Sequence, residues 1–187
     1  AMTLYLRKDV ANVGIAPLTS MYLFGANDRV GVDDYRSAVH DSDGLHLWTG
    51  QGEFVWRPLV NGKRLRFSAF QDVNPRGFGL FQRARRADDY GDPISAYERR
   101  PSVWIEPVGA WGRGAVVLIE IPSDLESNDN IVSFWRPEAP LRAGSEFQAR
   151  YRLHWCREHP VAPRLATVTA TRSGRGATGC SRHQCSR

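Results

Sequence analysis

Cysteine is scarce in this 187-residue chain and poorly placed for chemistry. Of three cysteines, Cys156 stands alone and Cys180 and Cys185 fall near the end, with no histidines spaced to complete a metal set. No apolar run approaches the length of a bilayer span, so stable membrane insertion is not expected. Residues 1–6 (Ala-Met-Thr-Leu-Tyr-Leu) have neither a basic stretch nor a sustained apolar core, so they do not read as a signal peptide. The chain also lacks a Gly-x-Ser-x-Gly elbow, a phosphate-cradling glycine loop with lysine, and a His-Glu-x-x-His pair. Nucleophilic serine, nucleotide and zinc chemistry therefore have no local signal. No metal or cofactor is expected, and carboxylates are left as the credible catalytic groups.

Charge of one sign is missing from most of the chain. Residues 157–187 hold six arginines, no lysine and one acid, Glu158, a net of +5. The whole chain is also +5, so residues 1–156 sum to zero. A neutral body with a basic tail lacks the charged face that phosphate binding requires, and nucleic acid is rejected as its ligand.

Aromatic residues are plentiful: six Trp, six Tyr and eight Phe, enough for a β core and for stacking on sugar rings. Alternation dominates. From Phe147 to Trp155 every second residue is apolar, as in a half-buried strand whose side chains point to opposite faces. Leu65, Phe67 and Ala69 alternate with polar neighbours, and Phe54 and Trp56 flank Val55 in the same way. Val116 to Ile121 and Ile131 to Trp135 are more continuously apolar, as strands buried on both faces would be. Further strands are expected over Val13 to Phe24, Gly77 to Gln82 and Ser102 to Glu106. Asn61-Gly62 reads as a hairpin turn between two strands. Arg83 to Tyr97 reads as a long surface loop with at most a helical turn. No helix of several turns is expected, and the fold class is an all-β antiparallel sandwich. From Ser173 onward glycine, serine, arginine and cysteine leave almost nothing to bury, so disorder is expected.

Three polar clusters could carry chemistry. His40-Asp41-Ser42-Asp43-Gly44 is open to two readings, an Asx-type turn before a strand or a functional carboxylate pair. It lacks the later ligands of a calcium loop. Glu126-Ser127-Asn128-Asp129-Asn130 is a connecting loop, or an acid at the mouth of a buried strand where restricted water would raise its pKa. Tyr97 to Pro107 contains Arg99, Arg100, Trp104 and Glu106, and Glu53, Trp56 and Arg57 repeat the same types on a neighbouring strand. Salt bridges around strands, or hydroxyl-binding and ring-stacking groups, would both use these residues.

Several of these stretches together resemble the family of periplasmic glucan biosynthesis proteins G and D (OpgG/MdoG and OpgD). The resemblance is carried by Thr19 to Gly25, Val39 to Leu45, Glu53 to Leu59, Asn74 to Leu80 and Tyr97 to Pro107. It continues through Glu120 to Pro122, Asn128 to Val132, Tyr151 to Trp155 and Ala170 to Arg172, in order, over about residues 10–176. It implies a galactose-mutarotase-like β-sandwich, of which residues 1–156 would be the later part. Residues 157–187 would be a junction toward an immunoglobulin-like domain that is missing, ending in a frameshifted or linker tail. It further implies a periplasmic protein, with its signal peptide outside this piece, acting on a β-1,2-linked glucan as an inverting hydrolase or as a glucan-binding factor. By position, Asp129 would be the general acid and Asp41 the base end of a water relay, with Asp43 as the alternative. Tyr97 would belong to the relay, and Glu126 would tune the acid. On residue type and placement, Trp56, Arg57, Arg99, Arg100, Trp104 and Glu106 would bind the glucan.

Overall fold

The structure is a computed structural model and describes residues 1–29 and 31–161. The expected junction and tail from residue 162 onward lie outside the described residues. Thirteen strands run in chain order: β1 (Met2–Tyr5), β2 (Ile15–Ser20), β3 (Tyr22–Phe24), β4 (Val39–His40), β5 (Gly44–Trp48), β6 (Phe54–Pro58), β7 (Arg66–Val73), β8 (Gly77–Phe81), β9 (Ser102–Pro107), β10 (Arg113–Glu120), β11 (Ile131–Pro137), β12 (Glu146–Ala149) and β13 (Tyr151–Cys156). The described helical structure is two 3-10 turns, Ala87–Asp89 and Tyr97–Arg99, inside the segment expected to be a loop.

Among the described residues every strand pairing is antiparallel. One sheet has the order β2-β11-β10-β7 and another β13-β9-β8-β5-β6, while β1 pairs with β12 and β3 with β4. Ile15, Leu18, Val116, Leu118, Ile131 and Trp135 of the first sheet share one buried cluster with Leu45, Leu47, Phe78, Leu80 and Ile105 of the second. Two sheets closing on a common apolar layer make the expected sandwich. β10, apolar from Ala115 to Ile119, is central between β7 and β11, and Ala115 to Leu118 are buried.

Three expectations of continuity fail, each where the chain changes sheet. The run from Val13 to Phe24 breaks at Met21 into β2 and β3, which belong to different sheets. Phe147 to Trp155 breaks at Arg150 into β12 and β13, and on the edge strand β13 Leu153 and Trp155 are 44% and 68% exposed. Asn61-Gly62 is not a hairpin turn, because β6 and β7 lie in different sheets and Gly62 is absent from the positive-φ glycines such turns need. The hairpin is instead β5–β6, closed by Gly52 at φ +94° with Thr49 N donating to Glu53 O at 2.9 Å.

A second buried cluster lies beside the sandwich: Met21, Phe24, Ala38, Val39, Tyr90 and Tyr97. It packs the small β3–β4 sheet against the turns of residues 84–99, so that segment is more than a surface loop. This annex carries the polar clusters.

Candidate functional site

The first sheet delivers the Asp129 loop to a defined place. β11 pairs with β2 with Ile131 opposite Ser20, so the residue before Ile131 arrives beside Met21 and Tyr22. There the ladder stops and a side chain takes over. Tyr22 N donates to Asn130 Oδ1 at 2.8 Å, and Asn130 Nδ2 donates to Tyr22 O and Ile121 O, each at 3.0 Å. Asn130 is 2% exposed, so these bonds form away from water. The other end of the loop is held by Asn61, whose Nδ2 donates to Ser123 O at 2.7 Å and Leu23 O at 3.1 Å while Ser123 N donates to Oδ1.

Asp41 hangs from the same two-residue splint. Its N–H donates to Met21 O at 2.9 Å, just past β4, which pairs with β3. Asn130 brackets Tyr22 and Asp41 grips Met21. Asp41 and the residue that follows Asp129, distant in sequence, are thereby attached to adjacent residues.

The electrostatics register this closeness. The Asp41 side chain is 27% exposed, and its covered Oδ1 makes no hydrogen bond but has Arg100 Nε at 3.4 Å. Burial pushes the Asp41 carboxyl above the usual range, Arg100 pulls it back, and the Asp129 carboxylate raises it again. Tyr97 sits within the same field. Its ring is buried, with the Arg100 guanidinium carbon 5.7 Å from the ring centroid, and burial, Glu126 and Asp41 raise its phenol. Glu126 is ion-paired with Arg36 Nη1 at 2.7 Å. Asp129 itself is exposed, as is the whole stretch from Asp124 to Asp129, so the described residues do not supply the restricted water expected around it.

Thus Asp41, Asp129, Tyr97, Glu126 and Arg100 are brought together. Arg99, beside them, is 80% exposed at its side chain and pairs with Glu98. The others are engaged elsewhere. Asp43 accepts a hydrogen bond from Arg83 N at 3.1 Å and lines a cavity of about 750 Å³ with Tyr22, Asp28, His40 and Arg85; neither Asp41 nor Asp129 lines it. Trp56 carries Arg83 over its ring at 4.2 Å and packs where Gly44 would place a Cβ only 2.0 Å from the indole. Arg57 binds Glu120 at 2.9 Å, and that carboxylate is 1% exposed and also accepts from Val60 N at 2.7 Å. Trp104 is fully buried and offers no face to a sugar ring. Glu106 pairs with Arg152 and His154 at the other end of β9 from Arg100.

Sequence reasoning passed over Arg36, Asp92, Asn61 and Asn130. The Asn130 stretch was read for its acids, and Asn61 for its turn propensity. The amides' anchoring role depends on long-range partners that no local pattern reveals.

Comparison with known proteins agrees with the resemblance. The family model described as "Periplasmic glucan biosynthesis protein, MdoG" matches residues 1–187. The chain belongs to this family. It is 54% identical over 173 residues to Glucans biosynthesis protein D 2 of Ralstonia nicotianae, covering 92% of this chain and 32% of that protein. It is 53% identical, with the same coverage, to Glucans biosynthesis protein G of a Shewanella species and to Glucans biosynthesis protein D of Stenotrophomonas maltophilia. The chain therefore spans about a third of the length of these curated relatives. G-named and D-named relatives match it equally well, so identity does not sort this member of the glucan biosynthesis family between them. Among the described residues no helix is long and apolar enough to cross a membrane.

Proposed function

We propose that the protein to which this chain belongs works on a β-1,2-linked glucan in the periplasm and hydrolyses it with inversion, using Asp129 and Asp41. The observation that carries this reading is that Asp41 and Asn130, the neighbour of Asp129, are bonded to the adjacent residues Met21 and Tyr22, with Arg100 and Tyr97 beside the partly buried Asp41. Inverting hydrolysis needs one carboxyl group to protonate the departing glycosidic oxygen and another to deprotonate water, roughly 6.5–9.5 Å away across the bond. Asp129 gives its proton to that oxygen as the C1–O bond breaks. Water adds its oxygen to C1, and its proton passes through Tyr97 and intervening water to Asp41. A base with a raised pKa accepts that proton more readily, which suits Asp41. For Asp129, the glucan laid along the exposed loop provides the cover that the described residues leave out.

A second reading is a non-catalytic factor that binds nascent glucan. The exposure of Asp129 and the word "biosynthesis" in the relatives' names favour it. The two part company on one measurement. Full-length protein is incubated with linear β-1,2-glucan and new reducing ends are counted, beside Asp129→Asn and Asp41→Asn. A loss of about 10²- to 10⁴-fold in either variant supports hydrolysis. Release unchanged by both substitutions removes the pair from the mechanism. Tight glucan binding without turnover in any form, the unsubstituted protein included, favours the binding factor.

A further inference from the structure

We infer that Arg36 is a positioning residue for this reaction: one guanidinium that holds the Asp129 loop and the Tyr97 turn in register with Asp41. The inference rests on the hydrolytic reading above for its catalytic consequence, and on geometry alone for the clamp. Arg36 lies between β3 and β4 with its side chain 14% exposed, and three carboxylates from three segments close on it. Asp34 of its own turn meets Nη2 at 2.8 Å, Asp92 meets Nη1 at 3.0 Å, and Glu126 meets Nη1 at 2.7 Å.

Each partner is fixed to something that matters. Asp92 Oδ1 also accepts from Ile94 N at 3.0 Å and Ser95 N at 2.9 Å, so it shapes the turn that leads into Tyr97. Glu126 lies in the middle of the loop that Asn61 holds at Ser123 and Asn130 holds at its far end. Between those anchors residues 124–129 are exposed and their hydrogen bonds run within the loop, from Leu125 and Asn128 to Ser123, so the Glu126 ion pair is what ties the loop's centre to the rest of the annex. A planar fork can serve partners on both of its Nη groups at once, which a lysine ammonium on a flexible stem does less well. Without the cation, three carboxylates would face one another across a half-dry gap and the loop would swing outward, taking Asp129 with it.

The test uses the full-length protein with Arg36→Met, Arg36→Lys and Glu126→Gln. Amide hydrogen exchange over residues 123–130 is followed without glucan, and kcat and KM are measured on linear β-1,2-glucan. The clamp predicts exchange about tenfold faster over 124–129 in Arg36→Met. It predicts kcat lower by about 10- to 100-fold with KM changed less than about threefold, because a displacement of roughly 1 Å costs that much in rate. Arg36→Lys recovers part of both. Glu126→Gln, on an exposed loop, reproduces the exchange change even if Arg36→Met does not fold, and adds little when combined with it. Unchanged exchange in both Arg36→Met and Glu126→Gln overturns the clamp, whatever Asp129→Asn does to turnover. Faster exchange in a protein that Asp129→Asn leaves unaltered keeps the clamp and removes only the hydrolytic reading.

Discussion

Replacing Asn130 by alanine isolates the joint between the two aspartates. The substitution deletes three hydrogen bonds at a site 2% exposed and strips partners from Tyr22 N, Tyr22 O and Ile121 O. A buried group left unpaired costs about 1–3 kcal/mol, and carbonyls tolerate the loss better than an N–H, so the sum comes to about 3 kcal/mol. Chemical denaturation of the full-length protein should show that loss as a lower midpoint at an unchanged slope. Asn128→Ala is the contrast: its amide bonds only Ser123 Oγ on the exposed loop, and the expected change is below about 0.5 kcal/mol. Asn130→Asp sharpens the point. It keeps an acceptor for Tyr22 N but turns a carboxylate oxygen toward two carbonyls. The folded state then raises the new acid's pKa, so the penalty is absent below the unfolded value of about 3.9 and grows as pH rises through the folded one. An Asn130→Ala protein as stable as Asn128→Ala would refute the idea that this amide carries the joint.

Two further outcomes follow from buried charge. Burial lowers the His40 pKa from 6.5 to about 4, so the folded state binds its proton later than the unfolded chain. Its stabilisation is whole above pH 6.5 and is lost as pH falls toward 4, worth roughly 3 kcal/mol, and His40→Phe should flatten that part of the stability–pH curve. Arg57→Met leaves the buried Glu120 with the Val60 N–H at 2.7 Å and Arg66 at 3.6 Å but without its close cation, and should cost about 3 kcal/mol in stability, largely restored by adding Glu120→Gln; restoration failing would count against the ion pair.

The sandwich was legible because its signal is local. The apolar stretches Val116 to Leu118 and Ile131 to Trp135 (broken only by Ser133) mark strands that carry core residues, whereas Leu65, Phe67 and Ala69 alternate correctly for a strand but lie on its exposed face, so that pattern showed the element and not its buried side. Sheet membership was not legible, since Met21 and Arg150 look like ordinary members of their runs and become breaks only through the partners each half finds. The short β4 and β5 were hidden by the same acids that drew attention to Asp41 and Asp43. For the site, the carboxylate stretches could be named from residue type and family resemblance. Their mutual distance depends on Asn130, Asn61 and Arg36, whose partners lie far away in sequence. Arg57 and Trp104 show the converse, since types suited to sugar binding are equally suited to a buried ion pair and a core.

The joints at the two ends of the loop, Asn61 and Asn130, are neutral amides, while the groups that set the field at Asp41 are charged, and the division has a consequence. Asn61 and Asn130 place the loop without adding charge near Asp41, so its proton affinity is left to burial, Arg100 and Asp129. Arg100 alone opposes the other two. Removing it as Arg100→Met raises the Asp41 pKa further, and a base must be ionised to act. The acid limb of the kcat/KM profile of the full-length protein on linear β-1,2-glucan should therefore move to higher pH, because that profile reports the free enzyme's essential groups. Arg100→Lys, which restores the charge, should return the limb toward its original position, whereas a merely structural Arg100 would scale the whole profile down without moving either limb. Should the limb stay fixed in Arg100→Met while Asp41→Asn abolishes turnover, Arg100 does not act on the base, and the ion pair at 3.4 Å is without electrostatic effect on catalysis.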